Sequence, residues 1–411
     1  MNQSVLDEVN QSLAAKSPGR PSLTATYFSV FVAMGLLLCA LGPMLPGLAQ
    51  RTGTQLKDVS WLFMVRSVGH IIGSYVAGRI YDHRAGHPIM ALAALITTSA
   101  ILLLPIAPSL ALMLVLILIQ GIAGGTLNVG ANTLLVWSHD GKPGGYLNGL
   151  HFSFGLGALL SPLVVERAIT YSGDVKWAYW VLTFAFVPLA LWLFRLPSPA
   201  PHKDPSHETN ERFPYLLVIV TAIFFMLYTG AEVSLGSWLF NYVIALRLDD
   251  PQGAAYLNSS FWLFFTLGRL ISIPAIKSFR PRNILYCDMV GCLTSIAVVL
   301  IWPKSLMALW FGMCGVGLSM GSVFPTMFLL AARRVPLTGK ITGIFFAGSS
   351  VGSMTVPLLV GNYFESVGPQ ILPIVVTIGL SLAVLMLTVI LIQHSRPVRT
   401  VTDPPIETDC L

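Results

Sequence analysis

Twelve apolar stretches, each near the length of a membrane helix, recur along this chain, with centres near Leu36, Gly69, Ile96, Gln120, Gly157, Ala185, Thr229, Thr266, Cys292, Gly317, Val351 and Leu382. A hydrocarbon layer of roughly 30 Å takes about 20 helical residues. So many long runs exceed what one soluble core can bury. Only 10% of the 411 residues are charged, and mean hydropathy is +0.74. Soluble domains carry about 25% charge. The expected fold class is therefore an all-α membrane protein of twelve spans. The narrowest separation lies between spans 3 and 4, at Pro105 to Ser109.

Charge orients the spans. With the N-terminus inside, 16 lysines and arginines fall on the cytoplasmic side, 6 fall outside, and Arg66 and Arg269 lie within spans, completing the 24. Basic residues favour the cytoplasmic face, so both termini are expected in the cytoplasm. The net charge of +6 is then a topology signal and gives no reason to expect nucleic-acid binding. No classical signal peptide precedes span 1, and the setting is read as a cell membrane, specifically a bacterial cytoplasmic (inner) membrane.

The longest polar connection, within residues 196–212, divides six spans from six. The expected organisation is a cytoplasmic tail at 1–23, a first bundle at 24–195, a linker at 196–212, a second bundle at 213–393 and a tail at 394–411. The halves echo each other. Span 5 begins GYLNGLHFSFGLGALLSP from Gly145, and span 11 begins GKITGIFFAGSSVGSMTVP from Gly339. Gly69-His70 in span 2 answers Gly268-Arg269 in span 8. Duplicated transporters show weak internal symmetry of this kind.

Polar groups inside spans are costly and normally face the bundle interior or a water-filled path. Glu232, in YTGAEVSLGSW from Tyr228 to Trp238, is the sharpest case. Low dielectric penalises its charged form, which suits reversible protonation or Na+ binding. Permanent pairing with Arg269 is the structural alternative. Asn128 and Asn132 stand four apart on span 4, with Gln120 two turns earlier on roughly the same stripe. Amides both donate and accept, as recognition of a hydroxylated solute needs, although interhelical bonding explains them equally well. His151 titrates into the same cavity or bonds a carbonyl. Arg66 snorkels outward, with His70 deeper on span 2. Arg269 needs an anionic partner: Glu232, Asp288 or an anionic substrate. Trp238 stacks on a sugar or packs between helices. Asp82 and Arg84, in the short loop GRIYDHRAGH, and Asp288 at the start of span 9 are gating candidates.

No GxxxxGK[ST] phosphate loop occurs, which removes self-contained ATP-driven transport. No metal-ligand or cofactor motif is present, so no cofactor is expected and the chain is read as no enzyme. The five cysteines show no paired spacing.

Six plus six spans with GRIYDHRAGH resemble the major facilitator superfamily, Asp82, Arg84 and Gly86 matching its motif between spans 2 and 3. The resemblance covers Thr24 to about Gln393. It implies two pseudo-symmetric six-helix bundles and alternating access around a central cavity. A finer likeness is to the sugar branch containing fucose permeases and sodium-dependent glucose transporters. Tyr228, Gly230, Glu232, Gly236 and Trp238 match its span 7, and Gly125, Asn128, Gly130, Asn132 and Trp137 its span 4. That branch often has an acid where Asn128 stands, which leaves Glu232 as the main acidic coupling candidate. The expectation is cation-coupled transport, by H+ or Na+, of a sugar or similar polar solute by a monomer. Substrate contacts are expected from Gln120, Asn128, Asn132, His151, Tyr228, Glu232 and Trp238, and coupling from Glu232, His151 and Arg269. Proton-driven efflux of drugs or amphiphiles and a non-transporting receptor are the rival readings.

Overall fold

A computed structural model of the chain describes residues 20–139, 143–199, 215–333, 335 and 339–394. The described residues form helices and no strand. In chain order the long ones are α1 (Arg20–Thr52), α2 (Trp61–Tyr81), α3 (Gly86–Leu103), α4 (Leu110–Ser138), α5 (Pro143–Ser172) and α6 (Val175–Arg195). Then come α7 (Tyr215–Ala245), α8 (Pro251–Ser278), α9 (Pro281–Ile301), α10 in two segments (Leu306–Met320 and Val323–Ala332), α11 (Gly339–Phe364) and α12 (Ile371–His394). In lipid every backbone polar group must be satisfied within the chain, and a helix does so segment by segment. Eleven of these spans are long and apolar enough to cross a membrane. The twelfth, α2, carries Arg66, His70 and Arg79 and is outside that set.

Local breaks follow from local chemistry. After α3 a 3-10 turn, Leu104–Ile106, contains Pro105, and the Ser109 side chain then accepts from the Leu112 N–H at 3.4 Å to start α4. Spans 3 and 4 are thus separate helices. The interruption in α10 falls at Gly321 and Ser322. Pro325 lacks an N–H for the Gly321 carbonyl, and its ring crowds that turn. The Tyr228 hydroxyl donates to the neighbouring Met320 carbonyl at 2.8 Å. The first helix starts at Arg20, before the boundary expected at Thr24. Residues 1–19, 200–214 and 395–411 lie outside the described residues, and with them most of both expected tails and of the expected linker.

The internal echo is a packing rule. Gly157 on α5 faces the backbone of Val32 and Leu36 on α1, and a Cβ there would meet the Val32 carbonyl. Gly352 on α11 meets Met226 and Gly230 of α7 in the same way. Gly121 of α4 lies on the Arg66 carbonyl beside Gly69 of α2, and Gly321 lies on the Phe265 carbonyl beside Gly268 of α8. Small residues let helix backbones approach closely where lipid supplies no hydrophobic driving force. The two bundles are therefore built on matching seams.

Between the bundles, the side-chain hydrogen bonds among described residues all lie toward one end, the outer end in the charge-based topology. Asn241 Nδ2 donates to the Gly42 carbonyl at 2.9 Å, joining α7 to α1. The Leu56 N–H donates to Glu365 Oε1 at 3.3 Å, and Arg167 Nη2 to the Tyr256 hydroxyl at 3.5 Å. Trp238 lies fully buried at this end, its ring centroid 6.2 Å from Phe63 of the first bundle and 4.9 Å from Phe364. In the inner half, His151 on α5 and Phe346 on α11 are exposed. The arrangement is closed outward.

Candidate functional site

A cavity of about 220 Å3 sits between the bundles beneath the outer closure. It falls below the roughly 300–1,000 Å3 of drug-sized sites. Its scale suits a small solute. The first bundle supplies Arg66, Ser67 and His70 from α2, Thr97 from α3 and Gln120 from α4; the second supplies Val233 from α7 and Phe346, Ser349, Ser350 and Ser353 from α11. Apolar walls come from Met34, Leu37, Leu38, Leu127 and Phe186.

Of the residues expected at a substrate site, Gln120 is in the cavity wall, nearly buried, with its Oε1 bonded to nothing in the protein. Glu232 is half-buried one residue from the wall residue Val233. Asn128 and Asn132 continue the Gln120 stripe toward the cytoplasm but are outside this cavity wall. Asn132 Nδ2 donates to the Asn128 carbonyl at 2.9 Å and to Asn128 Oδ1 at 3.3 Å, so the pair satisfies itself. His151 is exposed, its ring edge-on to Phe31 with centroids 5.8 Å apart.

Two expected substrate contacts are structural instead. Tyr228 is fully buried and is committed to the broken turn of α10. Trp238 is fully buried in the outer closure, with its Nε1 donating to the Pro357 carbonyl at 3.1 Å. Its indole has no free face for a sugar ring. Arg66 also departs from expectation. It does not snorkel: it is 7% exposed, donates from Nη1 to the Leu38 carbonyl at 3.2 Å and lies 5.7 Å from the Phe63 centroid.

The coupling and gating candidates separate as well. Arg269 is half-buried over the Phe265 ring, 4.6 Å from its centroid, and its Nε has no hydrogen-bond partner. Its charge acts on both Glu232 and His151. No ion pair within 4.0 Å joins it to Glu232, so permanent pairing is not the arrangement here. Asp82 and Arg84 are exposed, and neither side chain bonds a described residue. Asp288 accepts from the Ser322 hydroxyl, tying α9 to the break in α10 within one bundle. It is a brace inside the second bundle, not a bond between bundles.

The serine trio of α11 and the inward side of Arg66 were not among the expected site features. Ser349, Ser350 and Ser353 sit at helical spacing in AGSSVGS, which was the available signal.

The fold, the paired bundles and the central cavity fit a membrane transport protein, and residues 23–357 match the Major Facilitator Superfamily. The chain belongs to that superfamily: it is a multi-pass secondary transporter of small solutes and not an enzyme. It is related to sodium-dependent glucose transporter 1 of Homo sapiens, at 28% identity over 371 residues covering 80% of this chain and 71% of that protein. The same transporter of Xenopus laevis is 25% identical over 365 residues, covering 82% of this chain and 74% of the relative. Among solved structures, a variant of the nucleoside transporter NupG shares the fold, with a TM-score of 0.73 at 14% identity over 91% of this chain and 99% of that one.

Proposed function

We propose that this chain moves a sugar or sugar derivative by cation-coupled alternating access, with Glu232 as the coupling group. The observation that carries the reading is the small cavity at the bundle interface, closed outward, whose wall combines amide, hydroxyl and guanidinium groups. Such groups suit a hydroxylated solute. The names of the sodium-dependent relatives support both a sugar and a cation. Glu232 supports coupling because it lies one residue from the wall residue Val233 and has no ion pair within 4.0 Å. A bound H+ or Na+ would neutralise it and ease closure around solute. The cavity lining comes from one chain, which supports a monomer, and the charge bias of the loops supports cytoplasmic termini.

The test is counterflow in proteoliposomes with neutral sugars, sugar acids, amino acids, nucleosides and amphiphilic drugs. Exchange of sugars or sugar acids supports the reading. Exchange of amphiphiles alone would favour the efflux alternative, for which the cluster of Phe225, Phe324, Phe328, Phe345 and Phe346 is the supporting feature. Absence of exchange with every class would point to the receptor alternative.

A further inference from the structure

We infer that the solute is an anion, specifically a hydroxylated monocarboxylate of the sugar-acid class, and that Arg66 holds its carboxylate. This rests on the transport reading above and names the substrate class of that same cavity. The cavity wall contains one guanidinium and no carboxylate. A guanidinium has five N–H donors, and the Leu38 carbonyl takes only one of those of Arg66. No acidic side chain among the described residues lies within 4.0 Å of it. A buried charge without a partner is strongly disfavoured unless another group completes it.

The charge of the wall itself does not cancel. Arg66 is its one guanidinium, and no carboxylate lines it. Outside the wall, Glu232 stands in the field of Arg269 and Asp288 accepts from Ser322, and neither acid reaches Arg66 within 4.0 Å. One anionic group on the solute would complete Arg66. A planar carboxylate matches the fork of an arginine.

The rest of the wall specifies what the carboxylate is attached to. Gln120 Oε1, Thr97 Oγ1 and Ser349 Oγ are all buried without hydrogen-bond partners. Buried polar groups are normally satisfied. The Gln120 carbonyl oxygen is an acceptor, and the two hydroxyls both donate and accept. A polyhydroxylated solute offers the complement of all three, whereas a simple fatty acid offers none. A phosphate ester would bring more negative charge than the single surplus calls for.

Ligand affinity is read on the purified full-length protein, by thermal stabilisation and by direct binding, with D-glucuronate, its methyl ester, D-glucose and glucose 6-phosphate. Glucuronate should bind at least about tenfold more tightly than its methyl ester or glucose, the scale of a hydrogen bond to a charged group. Arg66→Gln should bring the glucuronate-to-glucose ratio to about one, and Arg66→Lys should retain part of it. Equal binding of glucuronate and glucose by the wild type overturns the inference. So does a full ratio in folded Arg66→Gln, or a preference for glucose 6-phosphate. If Arg66→Gln does not fold, the methyl ester and Arg66→Lys decide. Exchange of neutral sugars without acids sinks this inference alone; exchange of neither sinks the sugar-transport reading with it.

Discussion

The two bundles share a backbone plan but turn different seams and different chemistry to the cavity. On the first bundle, α2 and α4 meet at Gly69 and Gly121 and present Arg66, His70 and Gln120. On the second, α7 and α11 meet at Gly230 and Gly352 and present Val233 with three serines and Phe346, while Glu232 and Arg269 stand nearby outside the wall. The matching seams let helices approach one another alike in both bundles. In the reading proposed above, the first bundle holds the solute's anionic group and the second carries the coupling acid. Seams are constrained by backbone contact, where a single added carbon collides; wall residues are constrained only by what they must bind.

The shared part of this comparison breaks most severely at the seams. Gly352→Val and Gly157→Val each force a branched side chain against a carbonyl of the facing helix. Overpacking of this kind costs typically 1–3 kcal/mol, occasionally more, and both variants should show a clear fall in melting temperature by detergent thermal unfolding. If only one does, the seams are not equivalent. The closure between bundles comes next. Asn241→Ala removes the bond to the Gly42 carbonyl, a net contribution of about 1 kcal/mol. It should raise labelling of a reporter cysteine in the outer half of the cavity by about fivefold. Unchanged labelling would show that the Trp238 packing alone closes that end.

The smallest effect is expected at the outer loop, away from both walls. The Asp174 carboxylate accepts from the Lys176 backbone N–H at 2.9 Å and sits 3.2 Å from the Lys176 ammonium and 3.9 Å from Arg51. The backbone bond, followed by these charges, holds its pKa below the ordinary aspartate value. Its stabilisation is therefore present above that ordinary value, near 3.8, and is lost as pH falls through the lower folded value. Asp174→Asn should lower the melting temperature slightly at pH 7, and the difference from wild type should shrink below pH 4.

How much of this was legible in the sequence depends on what each residue touches. Span number, the α3–α4 break at Pro105 and the doubled glycine pattern follow from hydropathy and backbone chemistry along one chain. Gln120 and Glu232 stand out in the sequence because a polar group inside lipid needs a reason; the structure puts Gln120 in the cavity wall and Glu232 one residue from it. Trp238 was not resolved, because an indole beside glycines reads the same whether it meets a sugar or the packed Phe63 and Phe364. Asn128 and Asn132 are four apart whether they face solute or, as here, each other. Arg66 was misplaced because distance from a helix end does not say which way the helix is rotated. The serines of α11 were hidden among glycines for the same reason.

The claim that the second bundle carries the coupling group is tested most directly at Glu232. Glu232→Gln keeps the shape and hydrogen-bonding capacity of the side chain and removes its charge. The measurement compares solute accumulation under imposed H+ and Na+ gradients with gradient-free exchange, in liposomes carrying wild type or the variant, alongside thermal stability. The folded variant should lose uphill accumulation with the coupling ion while retaining measurable exchange. Normal gradient-driven accumulation by a well-folded Glu232→Gln variant would contradict that claim.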